Sequence, residues 1–119
     1  MKISITFSAI LAAVLLAAGI TAGAPSKHLS PADQKLYNTG KGLYTQRHCD
    51  SCHGADLKGT PGMAPSLLPS GAMSHYTGDS FATLMNTNVG YSGKKMSLPM
   101  AGKLKADEIK ALYVYLSNQ

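Results

Sequence analysis

One short motif, Cys49-Asp50-Ser51-Cys52-His53, constrains this chain more than any other feature of its sequence. Two cysteines separated by two residues and followed at once by a histidine are typical of a c-type haem attachment site. There both thiols bond to the porphyrin, and the histidine takes an axial position on the iron. On one helical turn Cys52 and His53 follow Cys49 by three and four residues, so all three side chains share a face. The motif therefore predicts one covalent haem on Cys49 and Cys52, with His53 as an iron ligand.

The same residues are compatible with other sites. Cys49 and Cys52 could form a disulfide or a redox-active pair, although a thioredoxin-like pair belongs in a βαβ pattern that this sequence lacks. Zinc could be bound by the two cysteines with His48 and His53, but structural zinc sites usually combine C-x-x-C with a second cluster distant in the sequence. Zinc and a simple disulfide therefore remain open beside haem.

The N-terminal segment has the composition of a secretory signal peptide. A basic residue precedes an apolar run over residues 3–20, and a tract of small residues follows it. We expect residues 1–24 to be removed by cleavage after Ala24, with cleavage after Ala22 as the alternative because Pro25 is a poor first residue. An uncleaved anchor is a further alternative, since the apolar run approaches the length that spans a bilayer. Export predicts a location in the oxidising periplasm.

Residues 25–119 are then expected to form one small domain. A chain of this size builds only a modest apolar core and commonly needs a staple, which a covalently bound macrocycle would provide. The chain carries a mildly basic net charge of +5, and aromatic residues make up 7% of it. Since it also has no block of like charges, we expect no nucleic-acid partner.

The first predicted helix leads into the motif. Ser30 suits the N-cap and Pro31 the first helical position, and the helix is expected to run toward Cys49. Its apolar and small positions recur at helical spacing and share one face, which consists of Leu36, Tyr37, Gly40, Leu43 and Tyr44. Gly40 in the helix interior costs about 1 kcal/mol relative to alanine. Its presence predicts that another backbone passes close by.

Two further helices are predicted between turn-rich segments. Asp79-Ser80 caps a short helix over residues 81–86, and the last helix begins near Ala106. The apolar face of the last helix consists of Ile109, Leu112 and Leu116, with Tyr115 beside it. Glycine and proline punctuate residues 54–78 and 88–102, where interleaved leucines and methionines predict loops packed on an apolar surface. No segment predicts a strand, so the expected fold class is all-α, a small helical domain wrapped around one haem.

From the first helix to the C-terminus the chain resembles the bacterial class I c-type cytochromes. In that family a Gly-x-x-x-aromatic motif precedes C-x-x-C-H and packs on a leucine and a tyrosine of the last helix. The matching residues here are Gly40, Tyr44, Leu112 and Tyr115. This sequence has one more residue between Tyr44 and the motif than is usual, so either the helix bulges or Leu43 takes the place of the aromatic residue.

The resemblance also implies the surroundings of the iron. Family members place a proline about a dozen residues beyond the axial histidine, and its carbonyl accepts the histidine Nδ1–H; the corresponding residue is Pro65. The distal ligand in the family is a methionine, whose soft thioether stabilises ferrous iron. Met96 and Met100 compete for this role, and the distance to the last helix favours Met96. The expected iron ligands are therefore His53 and Met96.

An iron ligated on both faces has no open position for a substrate, so the resemblance implies a periplasmic electron-transfer protein that is not an enzyme. Two alternatives remain: the cytochrome subunit of a larger periplasmic dehydrogenase or reductase complex, and a peroxidase-like or gas-binding haem protein. The expected partners are redox proteins, and contact with a membrane is expected only if the N-terminal segment is retained. Loop lysines predict an acidic docking patch on these partners; they are Lys58, Lys94, Lys95 and Lys103.

Overall fold

The computed structural model describes residues 27–97, 99 and 103–119. The predicted signal segment, residues 1–24, lies outside this part of the chain, as do the first two residues of the predicted mature domain. Met100, the alternative distal ligand, also lies outside the described residues.

Four α-helices and one 3₁₀ turn make up the regular structure of the described residues. They are α1 (Pro31–Gln46), α2 (Asp50–His53), the 3₁₀ turn Ala72–His75, α3 (Gly78–Thr87) and α4 (Ala106–Ser117). Extended pairing in this part of the chain is limited to two isolated bridges, Thr60 with Ala64 and Val89 with Lys95. The predicted all-α fold class is confirmed.

The start of α1 agrees with the prediction. Ser30 is the N-cap, its hydroxyl oxygen accepts a hydrogen bond from the Asp33 N–H at 3.2 Å, and Pro31 occupies the first turn. The missing N–H of a proline costs nothing at this position, because the first amides of a helix have no partner within the helix. The predicted N-cap of α1 is therefore confirmed.

The end of α1 explains the extra residue before the motif. The helix stops at Gln46, and His48 adopts a left-handed conformation with φ of 58°. The His48 N–H donates to the Thr45 carbonyl, and the Cys49 N–H donates to the Tyr44 carbonyl, each at 3.0 Å. These two bonds form a Schellman motif, which satisfies the last carbonyls of a helix and turns the chain. The additional residue is thus absorbed at the helix end, where the chain turns into α2.

The crossing of α1 and α4 depends on Gly40. A Cβ atom at Gly40 would lie 2.6 Å from the Ala111 carbonyl carbon and 2.8 Å from Tyr115 Cβ, so the two backbones meet where only glycine fits. The Tyr115 ring contacts the rings of Tyr37 and Tyr44, with centroids 5.3 and 5.7 Å apart. The close passage predicted from Gly40 is confirmed, and Tyr44 is the aromatic residue of the contact.

The structure corrects the bounds predicted for α3. The helix spans Gly78–Thr87, not 81–86, and its N-cap is Thr77 in place of the predicted Asp79-Ser80. Thr77 and Ser80 form a reciprocal capping box, in which the Ser80 N–H donates to the Thr77 hydroxyl at 3.2 Å and the Thr77 N–H donates to the Ser80 hydroxyl at 2.8 Å. Two satisfied amides favour this earlier start.

α1, α3 and α4 enclose one apolar core, to which the loops also contribute. The predicted faces of α1 and α4 supply most of it. Its buried members are Tyr37, Leu43, Tyr44, Leu57, Met73, Phe81, Leu84, Leu104, Ile109, Ala111, Leu112, Tyr115 and Leu116. Within the described part of the chain, no helix has the length and apolar character needed to cross a bilayer.

Candidate haem-binding site

The C-x-x-C-H motif forms a single helical turn. Cys49 is the N-cap of α2, and the His53 N–H donates to the Cys49 carbonyl at 3.0 Å. Residues three and four positions apart on a helical turn lie on the same side of it, so Cys49, Cys52 and His53 share one face, as the sequence predicts. All three side chains are half-buried, and both thiols are free.

Two observations bear on the zinc and redox-active alternatives. Among the described residues, which include all four candidate zinc ligands, no group of three or more His, Cys, Asp or Glu side chains is placed to hold a metal ion. Burial, with a smaller contribution from the Asp50 carboxylate, raises the pKa of the Cys49 thiol. Redox-active cysteines depend instead on a lowered thiol pKa.

The Pro65 carbonyl lies against the ring of His53. The distance from His53 Nδ1 to the Pro65 oxygen is 2.8 Å, so a protonated Nδ1 donates to this carbonyl. Such a bond fixes the tautomer and the orientation of an imidazole and leaves Nε2 for a metal. The structure therefore brings together the two residues that the resemblance pairs.

Gly59 permits this approach. Its N–H donates to the His53 carbonyl at 2.8 Å, and its φ is 78°. A Cβ atom at Gly59 would lie 2.6 Å from the Pro65 carbonyl carbon. The loop after α2 is further tied to the motif by the Thr60 hydroxyl, which donates to the Cys52 carbonyl at 2.8 Å. The chain thus returns to α2 through backbone contacts that a larger residue at position 59 would prevent.

Sequence reasoning missed these contacts and one more. The Tyr44 hydroxyl donates to the Gly54 carbonyl at 2.6 Å and so joins α1 to the residue after the motif. Burial raises the pKa of this phenol above its ordinary value. The glycine-rich composition of residues 58–62 indicates a turn but not its partner. Thr60 and the Tyr44 hydroxyl carry no sequence signal, because their partners are backbone carbonyls.

Met96 lies at the end of a short hairpin. Its N–H donates to the Asn88 carbonyl at 2.8 Å, and the Gly90 N–H donates to the Lys94 carbonyl at 2.8 Å. The Met96 side chain is half-buried and packs against the apolar core, as Cys49 also does. Since Met100 lies outside the described residues, the choice of Met96 as the distal ligand stays a prediction.

These residues fit a covalent haem. Two free, half-buried thiols and a histidine whose Nδ1 is already engaged are the donor set that a c-type haem uses. The motif also packs on the apolar core through Cys49, which provides a surface suited to a largely apolar macrocycle.

The family model for cytochrome c matches residues 37–119 of this chain. The chain belongs to the cytochrome c family. It is therefore an electron-transfer haem protein, and its cofactor is a covalent c-type haem for which Cys49 and Cys52 fit the attachment motif. Proteins of this family are typically electron carriers rather than enzymes, and their partners are redox proteins.

This cytochrome is similar in sequence to two kinds of relative. Cytochrome c-555 of Methylococcus capsulatus is 32% identical over 119 residues, which cover 99% of this chain and 85% of that protein. The cytochrome bc1 complex cytochrome c subunits of Mycobacterium bovis and Mycobacterium tuberculosis are 38% identical over 71 residues, or 56% of this chain. The match spans 25% of the length of these mycobacterial proteins. No solved structure gives a significant match to this chain.

Proposed function

We propose that this cytochrome is a periplasmic carrier of single electrons, with His53 and Met96 as the axial ligands of its haem iron. The observation that carries the proposal is the distance of 2.8 Å between His53 Nδ1 and the Pro65 carbonyl oxygen. This contact holds the imidazole in one tautomer, with Nε2 available to iron. When bound, the haem supplies the change of oxidation state, and the protein contributes ligands, burial and hydrogen bonds.

Two features of Met96 support its proposed role as the second iron ligand. Its backbone is held by the N–H bond to Asn88, and its side chain is directed to the apolar core. A thioether is a neutral, soft donor, so it favours ferrous iron and raises the reduction potential. If His53 and Met96 both bind the iron, the haem would have no position left for a substrate, which supports a carrier and not an enzyme.

The ligand assignment can be tested with two methionine variants. Met96→Ala is expected to abolish the near-infrared sulfur-to-iron charge-transfer band of the oxidised protein and to lower its reduction potential. Met100→Ala is the matched control, and it should keep the band. The reverse pattern would assign the distal position to Met100. A wild-type protein without the band would favour the peroxidase-like or gas-binding alternative.

The periplasmic location rests on the signal-like composition of residues 1–24. We expect the protein in the osmotic-shock fraction of the source cells. Its intact mass should correspond to cleavage after Ala24 or after Ala22, plus one haem that survives acid-acetone extraction. Holoprotein that is retained in the membrane with residues 1–24 attached would contradict this part of the proposal.

A second candidate function is a fixed cytochrome subunit of a larger membrane complex. It is favoured by the mycobacterial relatives, which are named as subunits of a cytochrome bc1 complex. Size-exclusion chromatography of solubilised membranes and of the periplasmic extract separates the two functions. A carrier elutes alone from the periplasmic extract, whereas a subunit elutes with a much larger haem-containing complex from the membranes.

A further inference from the structure

Tyr91 lies at the tip of the hairpin that carries Met96, and it contacts two aromatic residues outside the hairpin, His75 and Tyr76. The Tyr91 N–H donates to the Tyr76 hydroxyl oxygen at 3.1 Å. The Tyr91 ring stacks on the His75 ring, with centroids 3.9 Å apart and an interplanar angle of 11°, and it lies edge-on to the Tyr76 ring at 5.8 Å. We call His75, Tyr76 and Tyr91 the aromatic clamp.

Tyr76 is itself held by two helices. Its ring packs edge-on against Phe81 of α3, with centroids 6.2 Å apart. Its carbonyl accepts a hydrogen bond from the Tyr113 hydroxyl of α4 at 3.4 Å, and its N–H donates to the Met73 carbonyl at 3.2 Å. The Tyr76 hydroxyl is therefore a positioned acceptor that joins the hairpin to the helical core.

The hairpin transmits this attachment to Met96 through its own hydrogen bonds. The bonds from Gly90 to Lys94 and from Met96 to Asn88 connect the clamp to the methionine backbone. Tyr91 is 60% exposed, so burial contributes little to holding the tip. Gly90 fits closely here, because a Cβ atom at this position would lie 3.2 Å from the Tyr76 hydroxyl oxygen.

We infer that the Tyr76 hydroxyl is a positioning group for Met96, and that it controls how readily the Met96 sulfur leaves the iron. This inference rests on the proposed function, in which Met96 is the distal ligand. A loop ligand dissociates when its segment opens locally, and a hydrogen bond present only in the closed form lowers the population of the open form. One ordinary hydrogen bond changes that population by about two- to tenfold.

The test is a titration of the oxidised holoprotein with imidazole, which takes the distal position when the hairpin opens. Tyr76→Phe keeps the ring and removes the acceptor, so the apparent affinity for imidazole should rise about two- to tenfold. The charge-transfer band should still be present without imidazole. Hydrogen exchange of the Gly90 and Met96 amides should accelerate by a similar factor. The matched control is Tyr37→Phe, which removes a hydroxyl that accepts from Gln119 at 3.3 Å, away from the hairpin, and should leave the imidazole affinity unchanged.

The outcomes separate this inference from the ligand assignment. Unchanged imidazole affinity in Tyr76→Phe, in a protein whose band is lost in Met96→Ala, overturns the positioning role and leaves the assignment standing. Equal gains in Tyr76→Phe and Tyr37→Phe also overturn it, because they would reflect a general loss of stability. If the band survives Met96→Ala, the assignment fails and the inference fails with it. If Tyr76→Phe yields no holoprotein, Gly90→Ala replaces it in the test. Its new methyl group presses on the same hydroxyl and should raise the imidazole affinity as well.

Discussion

Arg47 Nη2 lies 3.1 Å from Glu108 Oε1, and this ion pair joins the end of α1 to the first turn of α4. Glu108 also accepts a hydrogen bond from the Lys105 N–H at 3.0 Å, so one carboxylate both caps α4 and binds the residue that ends α1. The backbone bond from Lys105, together with the Arg47 guanidinium, holds the pKa of the Glu108 carboxyl below its ordinary value.

Glu108→Gln should slightly lower the melting temperature at neutral pH and have no effect in strong acid. A carboxyl whose pKa is lowered by folding stabilises the protein in full above its unfolded pKa of about 4.3. That contribution is lost as the pH falls through the lowered pKa of the folded state. Thermal melts across this range test the expectation, with Asp107→Asn as the control that removes a charge from the same turn and leaves the Arg47 pair intact. A difference in melting temperature between Glu108→Gln and the wild type that stays constant at every pH would contradict this expectation.

Gly40→Ala should lower the free energy of unfolding of the holoprotein by about 1–3 kcal/mol, because the new methyl group would press on the Ala111 backbone. Gly42→Ala is a matched control in the same helix, since its Cβ would meet only Gln46 Nε2, at 4.0 Å. It should be neutral or stabilise the protein by up to about 1 kcal/mol through helix propensity. Urea unfolding measures both. Similar effects of the two substitutions would show that the crossing tolerates a side chain.

Gly59→Ala should raise the reduction potential, whereas Gly62→Ala should leave it close to the wild-type value. The two glycines have similar positive φ angles, 78° and 75°, so both substitutions introduce comparable backbone strain. Only the Cβ atom at position 59 would collide with Pro65, because nothing lies within 4 Å of the one at position 62. Displacing the Pro65 carbonyl makes the imidazole a weaker donor to iron, which favours the ferrous state. Equal potentials in a redox titration of both variants would argue against control by this carbonyl.

Electron transfer from the physiological donor should slow as ionic strength rises. The four loop lysines of the predicted docking surface are exposed, and attraction between exposed charges is screened over about 10 Å at 0.1 M salt. Charge reversal at Lys94 and Lys95 should slow the bimolecular reaction at low salt, when followed by stopped flow. Lys35→Glu, an equal charge change at an exposed position on α1, is the control and should have little effect. A rate indifferent to salt and to these reversals would rule out the acidic docking patch.

Local sequence predicted the beginning of α1 and the position of α4 because caps and helical faces involve residues within a few positions of one another. The same reasoning misplaced the start of α3, because Thr77 and Asp79 are both good N-caps and the reciprocal bonds with Ser80 decide between them. Local sequence also predicted that α1 continues toward Cys49, whereas the helix ends at Gln46. The turn that ends α1 uses His48 in a left-handed conformation, and in the absence of glycine nothing in the local sequence marks it.

The haem attachment motif could be recognised from local sequence, since its two cysteines and its histidine lie within one helical turn. Gly40 in the helix interior likewise predicted a close neighbour, and the packing of α1 on α4 shows that this neighbour is the Ala111 backbone. Gly59, the Tyr44 hydroxyl and the Tyr76 hydroxyl act on backbone groups of other residues. A carbonyl or an amide is the same group at nearly every position, so no residue pattern announces which one a side chain will meet. Those contacts, which hold His53 and the Met96 hairpin in place, were decided when the loops folded back onto the helices.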